Sequence, residues 1–404
     1  MIRAVVLLVA ILAFNLAQAQ EDRAGGAAPA EMAPTKQWYD SFKIRGYAQV
    51  RYNGLLATND SLGCDQCDRS WGGDNGFFIR RLRISLSGYV HPRVYVYVQP
   101  DFVSWVGSTG YVAQLRDCFM DLGLDAHNEL RLRLGQSKVP FGYENMQSSQ
   151  QRVPLDRADP VNSAHKDERD IGAFLYWSPT AVRELAKLFV DSGLKGSGDF
   201  GVLALGVFNG QGTNRMDQNK QMHVAARAAW PFKVREHYVE AAVAGYAGTY
   251  VLGSSQLSPG IGVRSDRSYD DRRAVASLSL FPAPFGILAE YNVGRGPEFD
   301  VATDSIVVRG LHGGYITAMY RIRAGRHQLM PFVRYQRYTG GKKFEQDARS
   351  YEVADLEFGV EWQPNKHFEL VCEYYIADRS YTDLELPVNH QQGNLLRLQA
   401  QVNF

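Results

Sequence analysis

Arginines of one parity recur along this chain: Arg45 and Arg51, Arg81 and Arg83, Arg131 and Arg133, Arg321 and Arg323. A guanidinium is a planar fork that donates two parallel hydrogen bonds to paired oxygens, so several on one wall would bind or select oxyanions. Glu357, Glu361, Glu369 and Glu373 repeat in the same way near the C-terminal end. If they face the arginines they would set up a transverse field. Arginines that merely pair with neighbouring carboxylates would brace a wall instead. No Ser/His/acid or Cys/His arrangement stands out, and the expectation is a protein that is not an enzyme and carries neither cofactor nor metal. Cys64 and Cys67 lack two further soft ligands nearby; in an oxidising compartment they read as a loop-bracing disulfide. Gly206 to Gly212 lacks the Lys-Ser/Thr ending of a phosphate-cradling loop. A net charge of +1 gives no field that would gather nucleic acid.

The elements that hold these arginines repeat with a period of two. Leu396, Leu398, Ala400, Val402 and Phe404 alternate with Arg397, Gln399, Gln401 and Asn403; Ile44, Ala48 and Val50 alternate with Arg45, Gln49 and Arg51. Such strands meet two different environments. An arginine at the lipid midplane of a barrel costs about 2–4 kcal/mol, so the charged phase belongs inside. Counting the weaker segments gives about sixteen strands, an all-β fold read as a transmembrane antiparallel β-barrel with an aqueous interior. A soluble sandwich would have shorter strands and no inward arginines. Residues 115–122 can be read in either phase. Pro179 to Val190 has the spacing of a helix on the side of the short turns. Trp71, Trp105, Tyr111, Trp177 and Trp230 fall near strand ends, where interfacial girdles form, and Tyr95 with Tyr97 could instead offer a lumenal sugar slide. Cys118 and Cys372 read as small apolar fillers.

Met1-Ile2-Arg3, the apolar stretch Ala4 to Leu16 and Ala17-Gln18-Ala19 read as a secretory signal over residues 1–19. The stretch is shorter than the roughly 20 residues of a spanning helix. Residues 20–42 read as a flexible periplasmic leader and 43–404 as the barrel. Together these place the chain in the outer membrane of a Gram-negative bacterium.

Phe78 to Gly88 (FIRRLRISLSG), Leu115 to Leu124 (LRDCFMDLGL), Leu130 to Ser149 (LRLRLGQSKVPFGYENMQSS), Arg169 to Leu175 (RDIGAFL) and Gly206 to Gly212 (GVFNGQG) resemble the phosphate-selective porin O and P family. The terminal Phe404 matches the closing aromatic residue of such barrels. The resemblance implies a homotrimer among outer-membrane lipid and lipopolysaccharide. It also implies a long third outer loop, here Tyr143 to Arg169, folded into the lumen as the constriction. That loop would add Arg152, Arg157, Lys166 and Arg169 to the arginine ladder, but Glu144, Asp156, Asp159, Asp167 and Glu168 lie among them and match its basic charge. The expected function is passive diffusion of small anions, phosphate or related oxyanions above all. The alternatives are a weakly selective diffusion pore and, from another class, a barrel-embedded hydrolase or an adhesin.

Overall fold

The computed structural model describes residues 37–58, 62, 76–104, 111–387 and 389–404. Contacts divide the chain between Asp40 and Ser41. The signal sequence and nearly all of the leader lie outside the described residues, as do Cys64, Cys67, Trp71 and Trp105.

From Ser41 onward the chain is one sheet. Its strands are β1 (Lys43–Thr58), β2 (Gly76–His91), β3 (Val94–Ser104), β4 (Tyr111–Gly123), β5 (Leu130–Lys138), β6 (Arg169–Trp177), β7 (Leu203–Phe208), β8 (His223–Val234) and β9 (His237–Val251). They continue as β10 (Ser268–Leu280), β11 (Phe285–Asp300), β12 (Ser305–Tyr320), β13 (Ile322–Ala324), β14 (His327–Gly341), β15 (Ser350–Asn365), β16 (Phe368–Thr382) and β17 (Asn389–Asn403). β12 and β13 both pair with β14 and form one stave broken at Arg321, so the wall has sixteen staves. Each is antiparallel to the next, and β17 pairs with β1 from Tyr47↔Asn403 to Thr58↔Gly393. Closure removes the exposed sheet edge that would otherwise recruit another strand. Gly46 and Phe404 fasten the seam, exchanging backbone hydrogen bonds of 2.8 and 2.9 Å.

Burial follows the expected alternation. On β8, His223, Ala225, Arg227 and Ala229 are buried while Val224, Ala226, Ala228 and Trp230 are exposed to the outside. Trp177, Trp230, Phe285, Tyr320 and Phe404 are exposed on the side of the short turns, as an interfacial aromatic girdle requires. The helix between β6 and β7 runs over Thr180–Asp191 and packs Phe189 on Phe281, with ring centroids 3.9 Å apart.

Two of the sheet's β-bulges place charged residues where strict alternation does not. Gln49 faces Arg81 while Val50 faces Ile79, leaving Arg80 as the extra residue; Gln99 faces Asp117 while Pro100 faces Leu115, leaving Arg116. A bulge turns two successive side chains toward one face. Arg116 and Asp117 are accordingly both buried, which is why residues 115–122 can be read in either phase.

Candidate functional site

Residues 139–168, between β5 and β6, are tied to the lumenal side chains of strands far from them in sequence. Glu290 on β11 accepts the backbone N–H groups of Tyr143 and Glu144 at 2.6 and 2.8 Å. Arg334 on β14 pairs with Glu144 at 2.8 Å. Asp156 is held by Arg397 on β17, by Arg51 on β1 at 3.4 Å and by Arg80 at 3.9 Å. Asp159 meets Lys342 at 2.5 Å and Arg379 at 3.4 Å, and its N–H donates to Gln336 at 2.8 Å. Arg273 on β10 donates to the Ser163 hydroxyl at 2.7 Å. At the far end, Arg116, Arg157 and Arg169 surround Glu168 at 2.7–3.2 Å. Burial alone would raise these carboxyls, but the cations prevail. Arg397, Arg51 and Arg80 hold Asp156 well below the usual carboxylate range, and Arg157, Arg116 and Arg169 do the same to Glu168.

The loop's acids are therefore neutralised largely by arginines and lysines of the wall. Counting basic and acidic residues within the loop does not show this, and among the described residues two other cations have no carboxylate within 4 Å. Arg152 is 4% exposed; its Nη2 donates to the Leu155 carbonyl at 3.2 Å, while Nε and Nη1 have no protein partner among the described residues. Arg81 is also 4% exposed and donates from Nη1 to Gln49 at 3.1 Å, with no carboxylate within 4 Å among the described residues. Arg80, Arg83 and Arg152 are close enough to repel it. A buried guanidinium facing other guanidinia and lacking an acid is an unfilled demand for an anion.

The other expected site residues lie in several different settings. Arg83, Arg131 and Arg133 point into the lumen, each paired: with Asp101 at 2.8 Å, Asp199 at 2.7 Å and Asp121 at 2.7 Å. Arg51 donates to Gln399, and Arg157 to the Glu144 and Gln147 carbonyls, in addition to their acids. Arg45 faces a cavity of about 760 Å³ on the short-turn side, bordered by the helix Thr180–Asp191 and by Arg93, Arg131, Arg133 and Arg183. Arg321 reaches the Ser192 carbonyl at 3.1 Å, while Arg323 is exposed on β13, past the break that ends the regular alternation. The side chain of Lys166 lies outside the described residues.

The inward acids are buried too: Glu357 pairs with Arg334, Glu361 with Lys195 and Glu373 with Arg397. Tyr97 stacks on Phe119 and takes a hydrogen bond from Gln99, which leaves one face of a sugar slide already covered. Arg80 escaped the sequence reading because strict alternation points it at lipid; the run Ile79-Arg80-Arg81-Leu82, with two charges in succession, is the signal that a bulge must intervene. Arg334, Lys342 and Lys343 were also missed, lying on or beyond a strand whose phase was weakly marked, and Arg379 lies on β16 past the segment whose alternation was read.

A closed barrel of sixteen staves, with charged side chains inside and an apolar surface outside, defines an outer-membrane channel. Sequence places it further: residues 52–404 match the phosphate-selective porin O and P family, and the chain belongs to that family. No curated protein matches it significantly in sequence. Among solved structures, the outer-membrane channel DcaP of Acinetobacter baumannii is similar at a TM-score of 0.56 and 14% identity, over 90% of this chain and 97% of that one. An anion-selective porin from Comamonas acidovorans matches at 0.51 and 10% identity, over 90% and 99%. The trimer form of OmpT from Vibrio cholerae matches at 0.51 and 11% identity, over 90% and 100%. These likenesses concern the fold.

Proposed function

We propose that the channel passes small anions by passive diffusion, with phosphate-like oxyanions preferred, and that Arg81 and Arg152 are the selecting pair. The observation that carries this is two nearly buried guanidinia, beside Arg80 and Arg83, neither of which has a carboxylate within 4 Å among the described residues. Loop 139–168 is tethered to β11, β14, β16 and β17 and, through Arg80 and Arg116, to β2 and β4 as well; in this reading anions pass it beside Arg81 and Arg152 and go on to the cavity at Arg45. The loop is then the constriction. An oxyanion there would accept from Arg152 Nε and Nη1, which replaces part of its hydration shell.

The weakly selective alternative rests on the acids: Glu357, Glu361 and Glu373 balance the wall opposite. Zero-current potentials in a chloride gradient separate the two, followed by titration with phosphate. The wild type is expected to favour anions and to show block by phosphate; Arg81→Gln with Arg152→Gln should move the potential toward zero and remove the block. An unchanged potential in that double variant would refute the assignment. The family and the trimeric relative support a homotrimer, exported by the signal at residues 1–19.

A further inference from the structure

Residues 178–202, between β6 and β7, do not stay at the short-turn rim. Their helix begins fastened to the turn between β4 and β5: Glu129 accepts the Thr180 N–H at 2.7 Å and the Thr180 hydroxyl at 2.6 Å, and Arg183 donates to the His127 and Asn128 carbonyls. The helix ends with Phe189 on Phe281, and beyond it Leu194 and Lys195 are buried. Lys195 Nζ lies 2.7 and 2.6 Å from the two carboxylate oxygens of Glu361 on β15. In a wall of sixteen staves, β15 stands eight from β6 whichever way the circle is followed. The connection therefore spans the lumen. From this tip the chain doubles back on its helix, a Cβ on Gly196 lying 2.8 Å from that of Phe189, and the Gly201 carbonyl takes a hydrogen bond from Arg227 on β8.

The two sides of this crossing differ. Toward β9–β14, Phe189 also meets Tyr238 at 5.2 Å, and Leu194 joins the same apolar cluster as Met330 and Phe332. Side chains packed in this way admit no hydrated ion. Toward β1–β5 the helix instead forms one wall of the open cavity at Arg45.

The tip itself is strained. Lys195 has φ 63°, in the left-handed region, close to Gly193 at 67° and Gly198 at 97°. Glycine adopts that conformation freely and lysine does not, so what the position gains from lysine is its side chain. Without the ammonium, Glu361 and Glu369 would face each other across Gln363, which donates to them at 2.8 and 3.0 Å, with no other cation within 4 Å of either among the described residues. Buried carboxylates so placed draw water in beneath the tip. The Lys195 carbonyl also accepts from the Tyr143 hydroxyl at 2.9 Å and from Gln147 at 2.7 Å, so loop 139–168 rests on the same residue.

We infer that residues 178–202 are a strap closing the β8–β15 half of the inner mouth, and that Lys195 is the positioning residue that pins it shut through Glu361. The strap sets the aperture and directs solute to the cavity at Arg45. This inference rests on the chain being a channel and not on which anion Arg81 and Arg152 select.

The test uses the full-length barrel in planar bilayers and in liposomes swelling in raffinose, a neutral trisaccharide whose entry reads aperture alone. Lys195→Met should raise single-channel conductance about twofold as the second half of the mouth opens, and should speed swelling. Its zero-current potential should fall toward zero, because the half that opens carries Glu361 and Glu369 and not the arginines. Lys195→Glu with Glu361→Lys, which restores the pair with its charges exchanged, should return conductance and swelling to the wild-type values. Should Lys195→Met give no folded band on unboiled gels, Lys195→Gly removes the ammonium while relieving the backbone, and the same rise is expected. Unchanged conductance and swelling in a folded single variant, or no recovery in the exchanged pair, would overturn the inference. So would failure of both single variants to fold, since the contact would then belong to the framework of the barrel and not to a closure.

Discussion

Arg397 shows how much one side chain can organise in this lumen. Fully buried on the last strand, it pairs with Glu373 at 3.0 Å and with Asp156 of the long loop, bringing together residues 241 positions apart. Removing one member of a buried, hydrogen-bonded ion pair leaves uncompensated charge and costs about 3–5 kcal/mol. Arg397→Gln is therefore expected to lower the unfolding free energy by about that amount and to make the open channel noisy as the loop loses a tether. Denaturant titration in detergent and single-channel recording check the two effects. The inward direction of Arg397 was plain in the sequence, because Leu396 and Leu398 flank it. Its partner was not. Asp156 could be seen only as one acid among the loop's bases, since no local rule says which of eight or so lumenal cations an acid on a crossing segment will meet.

At the scale of the strand, period two located the staves and failed where the backbone departs from it. The bulge at Arg80 and that at Arg116 each bring an additional charge inside, beside Arg81 and Asp117. Hydropathy cannot reveal which residue is the extra one until the partner strand is known. The helix after Pro179 was legible to within a residue, because a 3.6 period needs no partner. The β1–β17 seam has its own sensitive point. A Cβ on Gly46 would lie 2.5 Å from the Phe404 ring and 2.6 Å from the Arg83 carbonyl oxygen. Gly46→Val should push the final aromatic residue off its seat. The expected outcome is a lower temperature for loss of the fast-migrating folded band on unboiled gels, with little change when the same substitution is made at partly buried Gly76, whose Cβ meets nothing within 4 Å.

For the whole molecule, wall and loop depend on different forces, and pH separates them. The staves are held by backbone hydrogen bonds that do not titrate. The loop is held by ionised Asp156, Asp159 and Glu168, whose carboxyls the surrounding cations keep below their ordinary values. A depressed carboxyl contributes stability that is complete above its unfolded value, about 4, and is lost as pH falls through the folded one. Conductance and selectivity should thus stay constant from pH 7 to pH 5 and change only below about pH 4, while the far-ultraviolet circular dichroism of the barrel persists. A change in selectivity between pH 7 and pH 5 would show that the loop is held by something else.

The meeting of Gly46 with Phe404 reaches beyond the seam itself. With the beginning and end of the barrel joined by hydrogen bonds at one point on its short-turn rim, the finished cylinder keeps no record of which stave was made first. Its numbering belongs to the ribosome. The pore has only a circumference.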